Sequence, residues 1–213
     1  MSAAAKPAPA ELVPPNGVPL VYLDANILLP EYLRSVFLDL ADAGLVRVYW
    51  GQQVLQEVRR NLLKPSFGRT PAQADKLLRL ISEAFPDAAV LGSEALESRF
   101  AGSTDPKDSH VAAGALKLSQ AIYGDQPVVL VTSNTKHLPQ SAFAGTQVRS
   151  VRPGTFLVAL LKSRPEVAKV LAGMLKRFKA PPVGQEDFLA ILDKSGCSAF
   201  ATALAKHWGF QAE

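Results

Sequence analysis

Two carboxylates stand three residues apart in the segment "DPKDSHVAAGALKL", residues 105–118, at the start of an apolar, helix-forming stretch. Asp105 suits the N-cap of that helix, Pro106 its first residue and Asp108 its third, because acids and proline favour helix starts. Asp108 also heads an apolar stripe that begins at Val111, which turns its carboxylate toward the core. A charge placed there needs a partner, so these acids are candidates for chemistry as well as for capping.

Further polar residues are predicted to lie near these acids in space. Asp24 follows the apolar run "VPLVYL", Glu57 lies in the second turn of a predicted helix, and Thr132, Ser133 and Asn134 follow the run "PVVLV". In open α/β sheets, ligands bind beyond the carboxyl ends of the strands, so all of these positions converge on one rim. Taken singly, Asp24 could cap the next helix, Glu57 could pair with a neighbouring arginine, and Asn134 could be a turn residue.

A cluster of four ionised carboxylates favours a metal ion. Two carboxylates about 5 Å apart in an effective dielectric near 20 repel each other by roughly 3 kcal/mol. Either some of them are protonated or a divalent cation binds among them. Oxygen ligands without clustered His or Cys suit Mg²⁺ or Mn²⁺ rather than zinc, and such ions promote phosphodiester hydrolysis by lowering the pKa of a bound water. The three histidines show no ligand spacing, and His110 is predicted to be a surface residue.

The elements that must position these acids alternate between apolar strands and amphipathic helices, a pattern typical of a parallel sheet covered on both faces. Beyond Gly154 only helices are predicted. The predicted strands are 18–23, 46–50, 88–91, 127–132 and 147–151, and the main predicted helices are 30–44, 52–63, 70–85, 105–122, 155–162, 165–179, 185–192 and 198–208. The fold class is therefore α/β, followed by an all-helical C-terminal extension.

Composition narrows the class of protein. The 213 residues are 48% hydrophobic, which supports a sizeable core, and the single cysteine, Cys197, excludes an internal disulfide framework and a cysteine zinc site. No apolar run is long enough to span a bilayer, and the Pro- and Ala-rich residues 1–17 read as a disordered leader rather than a secretory signal. We therefore expect a cytoplasmic protein with no membrane segment. The net charge of +4 arises in residues 151–213 and is compatible with a nucleic-acid partner.

Four motifs, taken together and in order, resemble the PIN domain family, and within it the VapC-type toxins of bacterial toxin–antitoxin pairs. They are "VYLDANILL", "VLQEVRRNL", "DPKDSHVAAGAL" and "LVTSNTKHLP". The resemblance covers about residues 18–152, which we predict to be a PIN-like nuclease domain. Residues 153–213 resemble, more loosely, a helical C-terminal extension found in some members of that branch.

The resemblance assigns roles to individual residues. Asp24, Glu57 and Asp108 correspond to the core metal-binding acids, and Asp105 adds a neighbouring carboxylate. Asn134 stands where many members have a further Asp, which removes one charge and affects binding of a second metal, although an amide oxygen can still bind a metal or its water. The residues expected to support the site are Asn26, Thr132 and Ser133.

The same resemblance implies a Mg²⁺- or Mn²⁺-dependent endoribonuclease, a cognate antitoxin protein as partner, and a homodimer. RNA would require basic side chains near the rim, where they could hold phosphates on either side of the cleaved bond or could simply be solvated. The candidates are Arg59, Arg60, Lys64, Lys107 and Lys136. The alternative is a PIN-fold module with weak or no catalysis that binds RNA or a protein partner. This alternative stays open because Asn134 replaces the further Asp of many family members.

Overall fold

The computed structural model describes residues 12–210 and contains one five-stranded, fully parallel sheet in the order β3-β2-β1-β4-β5. The first three strands are added in chain order toward one edge of the sheet, and the last two are added on the opposite side of β1. The strand order therefore reverses between β1 and β4. The strands are β1 (Leu20–Leu23), β2 (Arg47–Gly51), β3 (Ala89–Val90), β4 (Val128–Val131) and β5 (Val148–Val151).

Helices flank this sheet, and the predicted α/β fold class with a helical C-terminal region is confirmed. The central strands β1 and β4 are buried at every position, as expected for strands covered on both faces. The helices are α1 (Ala25–Leu28), α2 (Glu31–Asp42), α3 (Gln52–Leu62), α4 (Pro71–Ala84), α5 (Ser109–Lys117), α6 (Pro153–Ser163), α7 (Val167–Leu175), α8 (Gln185–Lys194) and α9 (Ser198–His207). Short 3₁₀ helices at Glu94–Phe100 and Gln140–Phe143 were not predicted.

The start of α5 differs from the prediction that Asp105 caps it. Residues 105–108 form a turn in which the N–H of Asp108 donates to the carbonyl of Asp105 at 2.9 Å. The carboxylate of Asp105 accepts the N–H of Lys107 at 2.9 Å instead of capping the helix. Asp108 occupies the N-cap position, but its side chain makes no capping hydrogen bond. The capping interpretation is therefore wrong, and the Asp108 carboxylate is left to interact with other groups.

The predicted leader lies only partly within the described residues. Residues 1–11 lie outside them, and for these the leader stays a prediction. Leu12 and Val13 are buried in the core, so the packed part of the chain begins before Val18. The side chain of Arg164 also donates to the carbonyl of Gly17 at 2.7 Å, which ties this segment to the end of α6.

The helical C-terminal region packs against α2. Phe156 of α6 stacks on Phe37 of α2 with ring centroids 6.1 Å apart, and α7 also contacts α2. The indole N–H of Trp208 donates to the carbonyl of Ala168 at 2.9 Å, which fixes the end of α9 to α7. In the described part of the chain no helix has both the length and the apolar character needed to cross a membrane.

Helix α5 packs closely over β1. Gly114 faces Tyr22, and a Cβ at position 114 would lie 2.1 Å from the Tyr22 hydroxyl oxygen and 2.5 Å from Cζ. Tyr22 is fully buried, so its ring has no room to move away. Glycine at position 114 therefore sets how closely α5, and Asp108 at its start, can approach the sheet.

The Gly114→Ala substitution should destabilise the protein by about 1–3 kcal/mol, since it overpacks a filled core. Gly173→Ala is the matched control, because Gly173 is also helical and a Cβ there meets nothing within 4 Å. That control should be neutral or stabilising by up to about 1 kcal/mol. Urea denaturation of both variants measures the difference, and equal stability would show that α5 can shift on the sheet.

Candidate active site

Asp24 lies at the carboxyl end of β1, where the strand order reverses, and its side chain is buried with 4% exposure. One carboxylate oxygen accepts the N–H of Ala25 at 2.6 Å. The other accepts the Thr132 hydroxyl at 2.6 Å and the Asn26 amide at 2.5 Å. Leu23 pairs with Val131 in the sheet, so the residues that follow these two strands meet at the rim. Three donors therefore hold this buried carboxylate.

The loop after β4 connects Asp24 to Asp108. The Thr132 hydroxyl oxygen accepts the N–H of Asn134 at 2.9 Å and the side-chain amide of Asn26 at 3.1 Å. The Asn26 carbonyl oxygen accepts the N–H of Ser133 at 2.9 Å. The side-chain NH₂ of Asn134 donates to Oδ2 of Asp108 at 3.1 Å. A carboxylate accepts and does not donate, so this contact fixes which end of the Asn134 amide faces the acid.

Burial and neighbouring carboxylates disfavour ionisation of both linked acids. Desolvation raises the pKa of Asp24 to about 6; the Thr132 hydrogen bond lowers it, and the charges of Glu57 and Asp108 raise it further. Desolvation, and secondly the charge of Asp105, raise the pKa of Asp108. Glu57 and Asp108 are thus each near enough to Asp24 to oppose its ionisation, and a perturbed group beside a cleft is a functional-site candidate.

His110 contacts Glu57, which corrects the prediction that it is a surface residue. Its side chain is only 12% exposed, and Nε2 lies 3.8 Å from Oε2 of Glu57. The residues that follow His110 in α5, Val111 to Leu116, are all buried, so this helix has no solvent-exposed face there on which His110 could lie. The apolar stripe alone did not indicate burial on all sides.

His137 is a second histidine at the rim, and its contacts with the two aspartates were not predicted. Its Nδ1 lies 3.4 Å from Oδ2 of Asp108 and 3.6 Å from Oδ2 of Asp105. A protonated His137 would therefore bridge the two aspartates. Its place three residues after Asn134, in the same loop, was the only sequence signal for this contact.

The predicted acids approach one another without forming a closed metal cage. Among residues 12–210, no group of three or more His, Cys, Asp or Glu side chains is close enough together to hold a metal ion. The donor chemistry itself, carboxylate oxygens held where they repel their neighbours, fits a hard divalent cation. Metal binding by Asp24, Glu57, Asp105 and Asp108 stays a prediction.

A groove of about 980 Å³ opens directly in front of Glu57 and Asp108. We call it the acid groove. The predicted cations Arg60, Lys64 and Lys107 line it together with His110, whereas the buried Asp24 does not. The groove thus places positive side chains along α3 and beside the acids, as contact with a polyanion requires.

The two remaining candidate cations are placed differently. Arg59 lines the groove, but its guanidinium also donates to both oxygens of Asp75 at 2.6 and 3.1 Å, which lowers the pKa of Asp75 and joins α3 to α4. Lys136 is exposed on the loop after β4 and is not part of the groove lining.

The fold and this acid-rich rim define a PIN-like α/β domain with a helical C-terminal region. Residues 153–206 match the family model described as the VapC50 C-terminal domain. The chain is also 32% identical over 87 residues to a Mycobacterium tuberculosis protein named "putative ribonuclease VapC50". These two matches confirm the predicted resemblance to VapC-type proteins.

The similarity to that relative is partial. The aligned segment covers 40% of this chain and 47% of the relative, so the chain spans about half the length of the curated protein that it matches. No solved structure gives a significant match to the chain.

The raised pKa of Asp24 makes stability depend on pH in the metal-free protein. The unfolded carboxyl titrates near pH 4 and the folded one near pH 6, so the folded state binds more protons between these values. Stability due to this group therefore falls as the pH rises from about 4 to 6, by about 3 kcal/mol in total, and stays low above that.

The Asp24→Asn variant should lack this contribution. Urea titrations in EDTA at pH 4, 5, 6 and 7 should show wild type losing unfolding free energy relative to the variant across this interval. Circular dichroism confirms that the variant is folded. Parallel pH profiles for the two proteins would contradict the raised pKa of Asp24.

Proposed function

We propose that this chain is a Mg²⁺- or Mn²⁺-dependent endoribonuclease of the VapC toxin type. The observation that carries the proposal is the convergence of Asp24, Glu57 and Asp108 at the switch point of a parallel sheet, beside a groove lined with cations. The name of the mycobacterial relative supports the reaction class. The substrate would be RNA, and the reaction would be hydrolysis of a phosphodiester bond.

Asp24, Glu57 and Asp108 are the residues that would hold the ion, with Asp105 adding negative charge next to Asp108. When bound, the ion supplies Lewis acidity: it lowers the pKa of a coordinated water and shields charge on the phosphate. It would also relieve the repulsion that raises the pKa of Asp24 and Asp108.

The other residues of the rim would hold and orient these groups. Thr132 and Asn26 fix the Asp24 carboxylate by donating to one of its oxygens. Asn134 holds Asp108 through its side-chain NH₂. Arg60, Lys64 and Lys107 would bind phosphates of the RNA strand in the acid groove, with Lys136 contacting RNA outside it.

The partners proposed from the VapC resemblance are a cognate antitoxin protein and a second copy of this chain. A cytoplasmic location belongs to the same proposal, because RNA and an antitoxin would be met there. Light scattering coupled to size-exclusion chromatography distinguishes a monomer from the proposed homodimer.

A second candidate function is a PIN-fold module that binds RNA or protein without cleaving it. Two observations favour it: the described carboxylates do not close into a metal-holding group, and Asn134 presents an NH₂ rather than an oxygen to Asp108. An amide that donates to an acid reduces the number of lone pairs available to a metal ion.

Cleavage of total RNA should require added Mg²⁺ or Mn²⁺ and should fall at least 100-fold in Asp24→Asn and Asp108→Asn, because each removes a charge from the proposed ion site. Gel electrophoresis of the products measures this. Glu186→Gln on α8 loses the same charge outside the site and should cleave like wild type. RNA binding without cleavage would instead favour the binding module.

Added Mn²⁺ should raise the melting temperature of wild type, since an ion that binds only the folded state stabilises it. The increase should be smaller in Asp108→Asn. An equal increase in both proteins would place the ion elsewhere.

The double variant Arg60→Ala/Lys64→Ala should bind RNA more weakly and with a shallower salt dependence. Each lost phosphate contact reduces the slope of log K against log salt by about 0.7 for a single strand. The control is Lys169→Ala/Lys176→Ala, which removes two charges from the helical extension. Fluorescence anisotropy in EDTA at several salt concentrations measures the slopes, and equal slopes for the two double variants would remove the groove from RNA binding.

A further inference from the structure

A second cavity, of about 180 Å³, adjoins the acid groove at the carboxyl ends of β2 and β3. Gln53 and His110 line both spaces, so a strand lying in the groove would reach the smaller cavity directly. Its volume suits one planar base rather than a whole nucleotide. We call it the side cavity.

The wall of the side cavity is a loop held in one conformation. Gly92 has a φ of +68°, which favours glycine, and its carbonyl accepts the ammonium of Lys117 at 2.7 Å. A Cβ at position 92 would come within 3.0 Å of that ammonium. This hydrogen bond from Lys117 of α5 also positions Ser93 and Glu94, the residues that follow Gly92, before any ligand binds.

The side cavity offers hydrogen-bond acceptors next to an apolar surface. The NH₂ of Gln53 donates to Glu97 at 3.1 Å, which leaves the Gln53 carbonyl oxygen as the group that can accept from a ligand. Glu94 adds an exposed carboxylate. Leu91, which is 64% exposed, and Val90 supply apolar surface, and His110 forms part of the wall that the side cavity shares with the acid groove.

We propose that the side cavity binds a guanine base of the RNA, next to the cleaved phosphodiester bond; this inference rests on the proposed function. Guanine presents two adjacent N–H donors on its Watson–Crick edge, and a carboxylate can accept both. Adenine, cytosine and uracil do not present two adjacent N–H donors on that edge, so a carboxylate that pairs with one donor of these bases faces an acceptor beside it. Glu94 is therefore the specificity-determining residue, and Gln53 supplies a further acceptor.

The test measures binding apart from catalysis. Fluorescein-labelled oligouridine strands of one length carry a single central guanosine, inosine, adenosine or cytidine, and anisotropy with wild-type protein in EDTA gives each affinity. The guanosine strand should bind roughly tenfold more tightly than the adenosine and cytidine strands. Inosine lacks one of the two N–H donors and should lose most of that preference.

Glu94→Gln should abolish the preference for guanosine, measured within the variant as the ratio of its affinity for the guanosine strand to its affinities for the adenosine and cytidine strands. Lys117→Met, which releases the Gly92 carbonyl, should weaken the preference in the same direction. Glu186→Gln on α8 serves as the control for loss of one negative charge and should retain the preference.

The possible outcomes separate this inference from the proposed function. Equal affinity for all four strands, or a guanosine preference that Glu94→Gln leaves intact, would overturn the base assignment even if metal-dependent cleavage is observed. A preference for guanosine that is lost in Glu94→Gln supports the assignment of guanine to the side cavity even if no cleavage is found. A protein that binds none of the strands overturns the base assignment, and the cleavage assay on total RNA then decides the proposed function by itself.

Discussion

The buried carboxylate of Asp24 is the constraint around which the rim is arranged. An ionised carboxylate removed from water is costly unless it accepts hydrogen bonds, and here three donors surround it. They come from α1 and from the loop after β4, two segments about a hundred residues apart in the chain. Parallel pairing of β1 with β4 brings them together, so the sheet order and the polar network depend on each other.

This network also explains why the rim is electrostatically unfavourable and yet well ordered. Thr132 and Asn134 link Asp24 to Asp108, so the acids are held where they repel each other. His137 and His110 lie near Asp108 and lower its pKa, which partly offsets the repulsion. Sites that break the usual rules of burial and charge in this way are typical of function rather than of stability.

The strands and most helices could be predicted from the sequence because their signals are local. Continuous apolar runs mark β1 and β4, and Thr-Pro marks the start of α4, where the structure has the full capping box between Thr70 and Gln73. The turn at 105–108 and the contacts of the two histidines could not be predicted. They depend on how the loop after β4 lies against the start of α5, which no short-range pattern encodes.

In the candidate site as well, some features follow from the sequence pattern and others depend on contacts between distant parts of the chain. The positions of Asp24, Glu57 and Asp108 at one rim follow from strand order, which alternating elements indicate. The direction of the Asn134 amide and the ion pair that engages Arg59 depend on side-chain neighbours from other elements. The division into domains at residues 17 and 152 stays a prediction.

The junction between the sheet and the helical region has a consequence for how this architecture can vary. Only Arg152 separates β5 from α6, so no spacer is present there. On α2, Tyr32 packs against Phe178 with tilted rings, Phe37 stacks on Phe156, and Asp39 pairs with Arg177. A helical region transferred onto a different sheet domain would lose all of these partners at once. Residues 153–206 therefore depend on one surface of α2. Substitutions in α2 and in the helical region that contact each other should co-vary.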